Sequence, residues 1–321
     1  MKNKLFISLL GSLSLLAAAC GGDNNPAGGG GAGGGGGGGA GGGGGGGVTA
    51  KTIVDIAVGD PQFSTLVAAL QKASLVDTLK GAGPFTVFAP TNNAFAALKA
   101  AGIDATALDV ATLTAVLKNH VIAGQQLAAA ISASTMQTTL GGTVQVGVRG
   151  GSVYLNGLTL ITKTDITASN GVIHVIDSVL VPDTSILDLV GIATAYPTLS
   201  SLQGAVVQAN LAAALQAPGP FTLFAPVNSA FAALASPPSA SALPDILKYH
   251  VLSGAVDSTA AVAVAQKAPP ANQVPTLLTN KNLTLTVSGQ SLKINASTVI
   301  YANIKAKNGV IHLIDTVLIP Q

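Results

Sequence analysis

Apolar residues recur along this chain with two periods, and each pattern is written out twice. After Pro61, residues Phe63, Leu66, Val67 and Leu70 are spaced i, i+3, i+4, i+7, which places them on one face of a helix. Leu199, Leu202 and Val206 repeat this after Pro197. The helical region is predicted to close before Gly81-Ala82-Gly83-Pro84, a helix-stopping run. Phe85-Thr86-Val87-Phe88 reads as a short strand, and Asn93 to Leu98 and Ser229 to Leu234 read as Ala-rich helices. A further amphipathic helix carries Val110, Leu113, Leu117 and His120; its twin carries Leu243, Ile246, Leu247 and His250. The remainder alternates with period two: Val144, Val146, Val148, then Val153, Leu155, and in the twin Leu283, Leu285, Val287, then Leu292, Ile294. These predict strands of a largely antiparallel sheet. Each copy ends in a run apolar on both parities, one through His174 and Asp177 to Pro182, the other through His312 and Asp315 to Pro320. Such a run suits a strand buried on both faces. Helices followed by strands in one unit predict an α+β fold for each copy.

The duplication extends to the residues themselves. Gly83-Pro84-Phe85-Thr86-Val87-Phe88-Ala89-Pro90 returns at 219–226 with one change, an offset of 136 residues. Asn170-Gly171-Val172-Ile173-His174-Val175-Ile176-Asp177 returns at 308–315, an offset of 138. So long a period marks a duplicated domain rather than a solenoid. Both copies open on an apolar stretch around an Asp, Ile53-Val54-Asp55-Ile56 and Ile186-Leu187-Asp188-Leu189. The copies are expected at residues 48–183 and 184–321, each long enough to bury its own core. They split at Pro182-Asp183-Thr184-Ser185 with no Gly-rich spacer, which implies a restricted hinge. Copy two adds a Pro-rich stretch from Pro269-Pro270 to Pro275, expected as an exposed loop.

The first 47 residues follow a different pattern. A short positive region, Met1 to Lys4, precedes an apolar stretch from Leu5 to Leu16 and the small residues Ala17-Ala18-Ala19. This reads as an export signal over residues 1–19. Cys20, the only cysteine in the chain, follows directly, and 16–20 resembles a bacterial lipobox with Ala three positions before the Cys. An ordinary signal followed by a stray thiol is the plainer alternative. Lipidation of Cys20 with two or three acyl chains would satisfy the need for more than one chain in stable anchoring. Gly21, where an inner-membrane lipoprotein would carry Asp, favours the outer membrane in a Gram-negative host. Residues 20–47 are the lipidated Cys and a Gly-rich tether with no side chains to bury, expected to be disordered. A coil of 27 such residues spans roughly 30 Å.

Charge narrows the function. Charged residues make up 9% of the chain, and every acidic one is Asp. Once Lys2 and Lys4 are removed with the signal, 13 basic residues face 13 acidic ones, a net charge near zero. One Arg (Arg149) and no Trp leave neither the basic face nor the stacking aromatics of a nucleic-acid binder. Outside the N-terminus no run of about 18 apolar residues signals a membrane span.

The four histidines fall at repeat-equivalent positions, His120 with His250 and His174 with His312. A metal site needs three or four ligands at fixed spacing, and each copy offers two His and no Cys. An acid–base pair is the other chemical reading. The plainer one is a core histidine whose ring nitrogens bond backbone or a buried carboxylate, with Asp177 and Asp315 satisfying local donors. No Gly-x-Ser-x-Gly elbow offers an activated serine. No metal, cofactor or catalytic residue is expected.

Residues 83–95, Gly-Pro-Phe-Thr-Val-Phe-Ala-Pro-Thr-Asn-Asn-Ala-Phe, resemble the first signature of the fasciclin (FAS1) domain, and 170–177 resemble its second. Lys248-Tyr249-His250-Val251-Leu252 looks like the Tyr-His motif between them, where copy one has Asn119-His120. The resemblance covers both copies from end to end. It implies a β-wedge of about seven strands packed with helices, and extracellular or surface-bound adhesion. It also implies a candidate adhesion motif at Asp165-Ile166, which in copy two is Asn303-Ile304. The duller role for Asp165 is to cap a turn before the buried strand. The expected protein is a lipid-anchored surface binder of a cell, matrix or polysaccharide surface, held to the membrane through its N-terminal lipid. A carrier of an apolar small molecule of the carotenoid kind is the alternative.

Overall fold

In the first copy β1 (Phe85–Pro90), β2 (Val121–Ala123), β3 (Met136–Thr139), β4 (Gly142–Arg149), β5 (Ser152–Leu155), β6 (Thr159–Ala168) and β7 (Gly171–Ile176) form one sheet, ordered β2-β1-β7-β6-β5-β4-β3. In the second, β8 (Phe221–Pro226), β9 (Val251–Ser253), β10 (Gln273–Pro275), β11 (Asn282–Ser288), β12 (Ser291–Ile294), β13 (Ser297–Ala306) and β14 (Gly309–Ile314) repeat that order as β9-β8-β14-β13-β12-β11-β10. Only β1 with β7 and β8 with β14 run parallel; the other neighbours are antiparallel. This computed structural model describes residues 50–132 and 136–321, and the described part belongs to one compact unit. The export signal, Cys20 and the Gly-rich tether lie outside the described residues. Among the described residues no single helix is long and apolar enough to cross a membrane.

The final strand of each copy lies at the centre because its sequence leaves no polar face. All six residues of β7 are buried, as are five of the six in β14. The parallel pairing needs close backbone approach at its start. A Cβ on Gly171 would fall 2.0 Å from Phe85 O, and one on Gly309 2.1 Å from Phe221 O. Helices form where a cap meets an apolar stripe. Thr52 and Asp55 make a reciprocal capping box for the helix Ile53–Gly59, and Asp109 accepts from Thr112 N at 2.9 Å to start the helix Val110–Lys118.

Several expectations need correction. His120 and His250 do not sit on a helix face: His120 lies one residue past Asn119, the C-cap of the helix Val110–Lys118, His250 is itself the C-cap of the helix Leu243–Tyr249, and Val110 is 51% exposed. The helical region before Gly81 is broken at Ser74, which has φ of +54°. The Pro-rich stretch is not all loop. Gln273–Pro275 pairs with Asn282–Thr284 as an edge strand, where Pro275 can end the ladder without leaving an inner strand short of a donor.

The copies do not bury wholly separate cores. Each sheet has its own cluster, around Phe88, Leu155 and Ile176 in copy one and Phe224, Leu285 and Ile294 in copy two. The helical layers merge into a third cluster that joins Leu66, Phe95 and Leu117 with Leu189, Ile192 and Leu202. At this junction the helix Asn92–Ala100 packs on the helix Leu189–Ala195. Thr198 Oγ1 donates to Leu158 O at 2.6 Å. Gly157 (φ +72°) lies against the Tyr301 ring, where a Cβ would come within 2.3 Å of Cγ.

Candidate functional site

The repeated signatures hold polar residues, and the structure shows what each one holds. Thr86 Oγ1 donates to Gly124 O (2.7 Å) and accepts from Gln126 N (2.8 Å); Thr222 does the same with Gly254 O and Val256 N. Asn92 Nδ2 donates to Pro61 O and its Oδ1 accepts from Thr65 N; Asn228 repeats this with Pro197 O and Ser201 N. Asn170 ties three segments together. Its Oδ1 accepts from Ile53 N at 3.0 Å, and its Nδ2 donates to Leu79 O and Gly81 O at 2.8 and 3.0 Å. Asn308 has the same arrangement with Leu189 N, Leu215 O and Ala217 O. Sequence reasoning assigned these asparagines and threonines no role. Their only signal was recurrence in both copies.

All four histidines are buried, at 2% exposure or less. His120 Nδ1–H donates to Val116 O at 2.7 Å, and its Nε2 accepts from Leu180 N at 2.9 Å. His250 pairs likewise with Ile246 O (2.8 Å) and Leu318 N (2.9 Å). Each therefore links a helix end to the segment after the last strand. Burial penalises the charged ring and lowers both pKa values to about 4. His174 uses its nitrogens in the opposite sense: Nε2–H donates to Gln126 O at 2.8 Å and Nδ1 accepts from Asp165 N at 3.3 Å. His312 does this with Val256 O (2.8 Å) and Asn303 N (3.4 Å). Their rings lie beside Phe88 and Phe224, with centroids 5.8 and 5.6 Å apart. Burial lowers these two pKa values as well. Each ring has both nitrogens engaged in the neutral form, and among the described residues no three His, Cys, Asp or Glu gather around a common point.

Asp177 Oδ1 accepts from Leu160 N (2.9 Å) and Ser178 Oγ (2.8 Å), and burial pushes its carboxyl pKa up. Asp315 Oδ1 accepts from Ser297 Oγ, Thr298 N and Thr316 Oγ1; burial pushes its pKa up, but these bonds outweigh it and the pKa is lowered. Tyr249 is 6% exposed; its hydroxyl donates to Asn282 O and accepts from Asn295 Nδ2, both at 3.0 Å. In copy one Asn119 takes the position, donating to Leu180 O and accepting from Thr139 Oγ1. Asp165 caps no turn. It stands inside β6 at a register shift, with φ of +58°, and its exposed carboxylate accepts from Ala128 N at 2.9 Å, at the start of the helix Ala128–Ser132. Ile166 is half-buried against the shared core.

One cleft brings together polar groups from both copies. Its cavity of ≈ 690 Å³ is lined by Arg149, Ser152, Tyr154 and Asp177 of copy one and by Ser229 and Asp315 of copy two, among others. Arg149, the only arginine in the chain, lies over the Tyr154 ring at 3.9 Å, and one Nη donates to Gly157 O at 2.8 Å. Sequence reasoning used Arg149 only in the charge count, because nothing local to it predicts a partner from the other copy.

A family model, "Fasciclin domain", matches residues 61–182 and 197–320. Among curated proteins, "Protein sll1483" of Synechocystis is 45% identical over 136 residues, covering 42% of this chain and 75% of that protein. Human periostin is 30% identical over 272 residues, 84% of this chain but 31% of periostin. A solved FAS1 domain pair from the insect cell adhesion molecule fasciclin I aligns over 81% of this chain and 97% of that one, with a TM-score of 0.43 and 18% identity. The two family matches cover most of the described residues and contain both sheets, so this chain belongs to the fasciclin domain family, as a tandem pair of FAS1 domains.

Proposed function

We propose that the chain is an exported, lipid-anchored binding protein that attaches cells to a polysaccharide, matrix or cell surface without turnover. The observation that carries this reading is how the signature residues are used. The histidines, asparagines and threonines that recur in both copies bond within the fold, so a partner must meet other residues. Membership of a family with adhesion and matrix proteins supports the same reading. The lipid on Cys20 would hold the chain at the membrane and the Gly-rich segment would extend it, leaving the folded pair to bind. An apolar cavity beside His120 and Phe63 measures ≈ 20 Å³, about the room of one water molecule and too small for the apolar ligand of the carrier alternative.

The test compares cells producing the parent chain, cells producing Cys20→Ser and cells with the gene deleted. The parent is expected in the membrane fraction and Cys20→Ser in the soluble fraction, with retention on polysaccharide- and protein-coated surfaces lost in both altered strains. Equal retention of parent and deletion cells on every surface would sink the adhesion reading. A Cys20→Ser chain that stays in the membrane would sink the anchor.

A further inference from the structure

We propose that the cleft between the two domains binds a short stretch of polysaccharide through its hydroxyl groups; this rests on the surface-binding reading above and names its ligand class. The argument starts from groups that the fold leaves open. Arg149 has five N–H donors. Among the described residues one of its bonds is made, to Gly157 O. Both bonds to Asp177 go to Oδ1, which leaves its Oδ2 without a donor among the described residues; Asp315 takes side-chain bonds from Ser297, Thr298 and Thr316 and, as a carboxylate with about four lone-pair sites, can accept one more. The hydroxyls of Ser152 and Ser229 line the same space without a protein partner among those residues. Donors and acceptors thus both line a cavity of ≈ 690 Å³, within the usual range for small-molecule sites.

The mixture of charges selects the ligand. One guanidinium faces two carboxylates, so a phosphate or other dianion meets repulsion from Asp315. A divalent cation meets the fixed charge of Arg149 and only two carboxylates, short of the oxygen count it takes. An apolar molecule would bury these polar atoms unpaired. A sugar chain matches all of them, because each hydroxyl both donates and accepts: it donates to the carboxylate of Asp177 or Asp315 and accepts from Arg149. Leu160, Val227 and Ile300 supply apolar wall for the C–H faces of the rings. Arginine suits the position better than lysine. Its plane is already fixed over Tyr154, which leaves its edge oriented before the ligand arrives. Neither domain holds the site alone, since Arg149 and Asp177 come from the first and Ser229 and Asp315 from the second.

The experiment uses the full chain in a zwitterionic detergent free of sugar headgroups. Calorimetric titration is run with cellohexaose, maltohexaose, mannohexaose and hexagalacturonate as probes, the last separating neutral from uronic chains. The parent is expected to bind at least one. Arg149→Gln is expected to weaken binding at least tenfold. Ser229→Trp, which puts a large ring on the exposed wall of the cleft without removing a side-chain bond among the described residues, is expected to abolish binding while the melting temperature stays at the parental value. Failure of every probe to bind the parent, or parental affinity in Ser229→Trp, overturns the proposal. Beads coated with each variant are assayed in parallel for retention on surfaces. If Ser229→Trp beads adhere like the parent, the cleft is refuted while surface binding stands. If parental beads do not adhere although Ser229→Trp abolishes oligosaccharide binding, the cleft stands and adhesion falls.

Discussion

The two domains solve most of their problems alike, and the places where they part show which properties matter. Around His174 and His312 every bond is duplicated, down to the left-handed residue that donates to the ring. That residue is Asp165 in one domain and Asn303 in the other, and both side chains accept from the start of a short helix, at Ala128 N and Ser258 N. The shared requirements are a side-chain oxygen and tolerance of positive φ, which Asp and Asn both meet. Charge is not among them. At the domain junction nothing is duplicated. The turn between β5 and β6 has three residues, Asn156-Gly157-Leu158, whereas that between β12 and β13 has two, Asn295-Ala296. The extra Gly157 seats Tyr301, whose counterpart in the first domain is Lys163. The internal architecture is shared by both domains, whereas the contact of Gly157 with Tyr301 uses residues that differ between them.

The strongest test of the likeness is removal of the central histidines. His174→Ala and His312→Ala each remove two bonds of a fully buried ring, to a half-buried carbonyl and to the N–H of an exposed residue, and open space beside a Phe, so each is expected to cost about 3 kcal/mol in denaturant unfolding. Equal losses confirm one role. A loss of binding in either variant with unchanged stability breaks it.

Acid is expected to act on both domains through His120 and His250. Each folded pKa, about 4, lies below the unfolded value near 6.5, so the unfolded chain binds the proton first. The stabilisation is complete above pH 6.5 and is lost as pH falls from there through 4, at most about 3 kcal/mol per histidine. Denaturant midpoints across that window, with NMR titration of the imidazoles, check the sign and the equality of the two.

The junction should respond unequally. Gly157→Val drives a side chain into the Tyr301 ring at a left-handed backbone position and is expected to cost about 2 kcal/mol and to split calorimetric unfolding into two steps. Ala296→Val, at an exposed turn in the second domain, is expected to stay within about 0.5 kcal/mol. The smallest effect is expected for Asp165→Asn, which installs the second domain's residue: stability within about 0.5 kcal/mol. A fall in cell retention without a change in stability would mark Asp165 and Ile166 as an adhesion motif; unchanged retention leaves Asp165 as the helix-capping residue it is in the structure.

Much of the fold could be read from the residues. Repetition marked two units, alternation marked β4, β5, β11 and β12, and a run with no polar face marked β7 and β14 as central strands. The histidines were legible as core residues because all four lie in apolar surroundings, but their partners were not. Leu180 lies 60 residues from His120 and Gln126 lies 48 from His174, and no periodicity carries information over such distances. Asp165 was misread for a related reason: a cap on a distant helix resembles a turn residue when only its neighbours are seen.

What the sequence by itself determined is the local order: where apolar faces lie, where a helix must stop, and that one design was used twice. These follow from side-chain period and backbone sterics, which act over a few residues. Only the tertiary structure decided that the helical layers fuse into one core, that Tyr301 closes on Gly157, and that Arg149, Asp177 and Asp315 line one cleft. Those contacts depend on how two folded surfaces fit together, and shape complementarity between distant segments leaves no pattern along the chain.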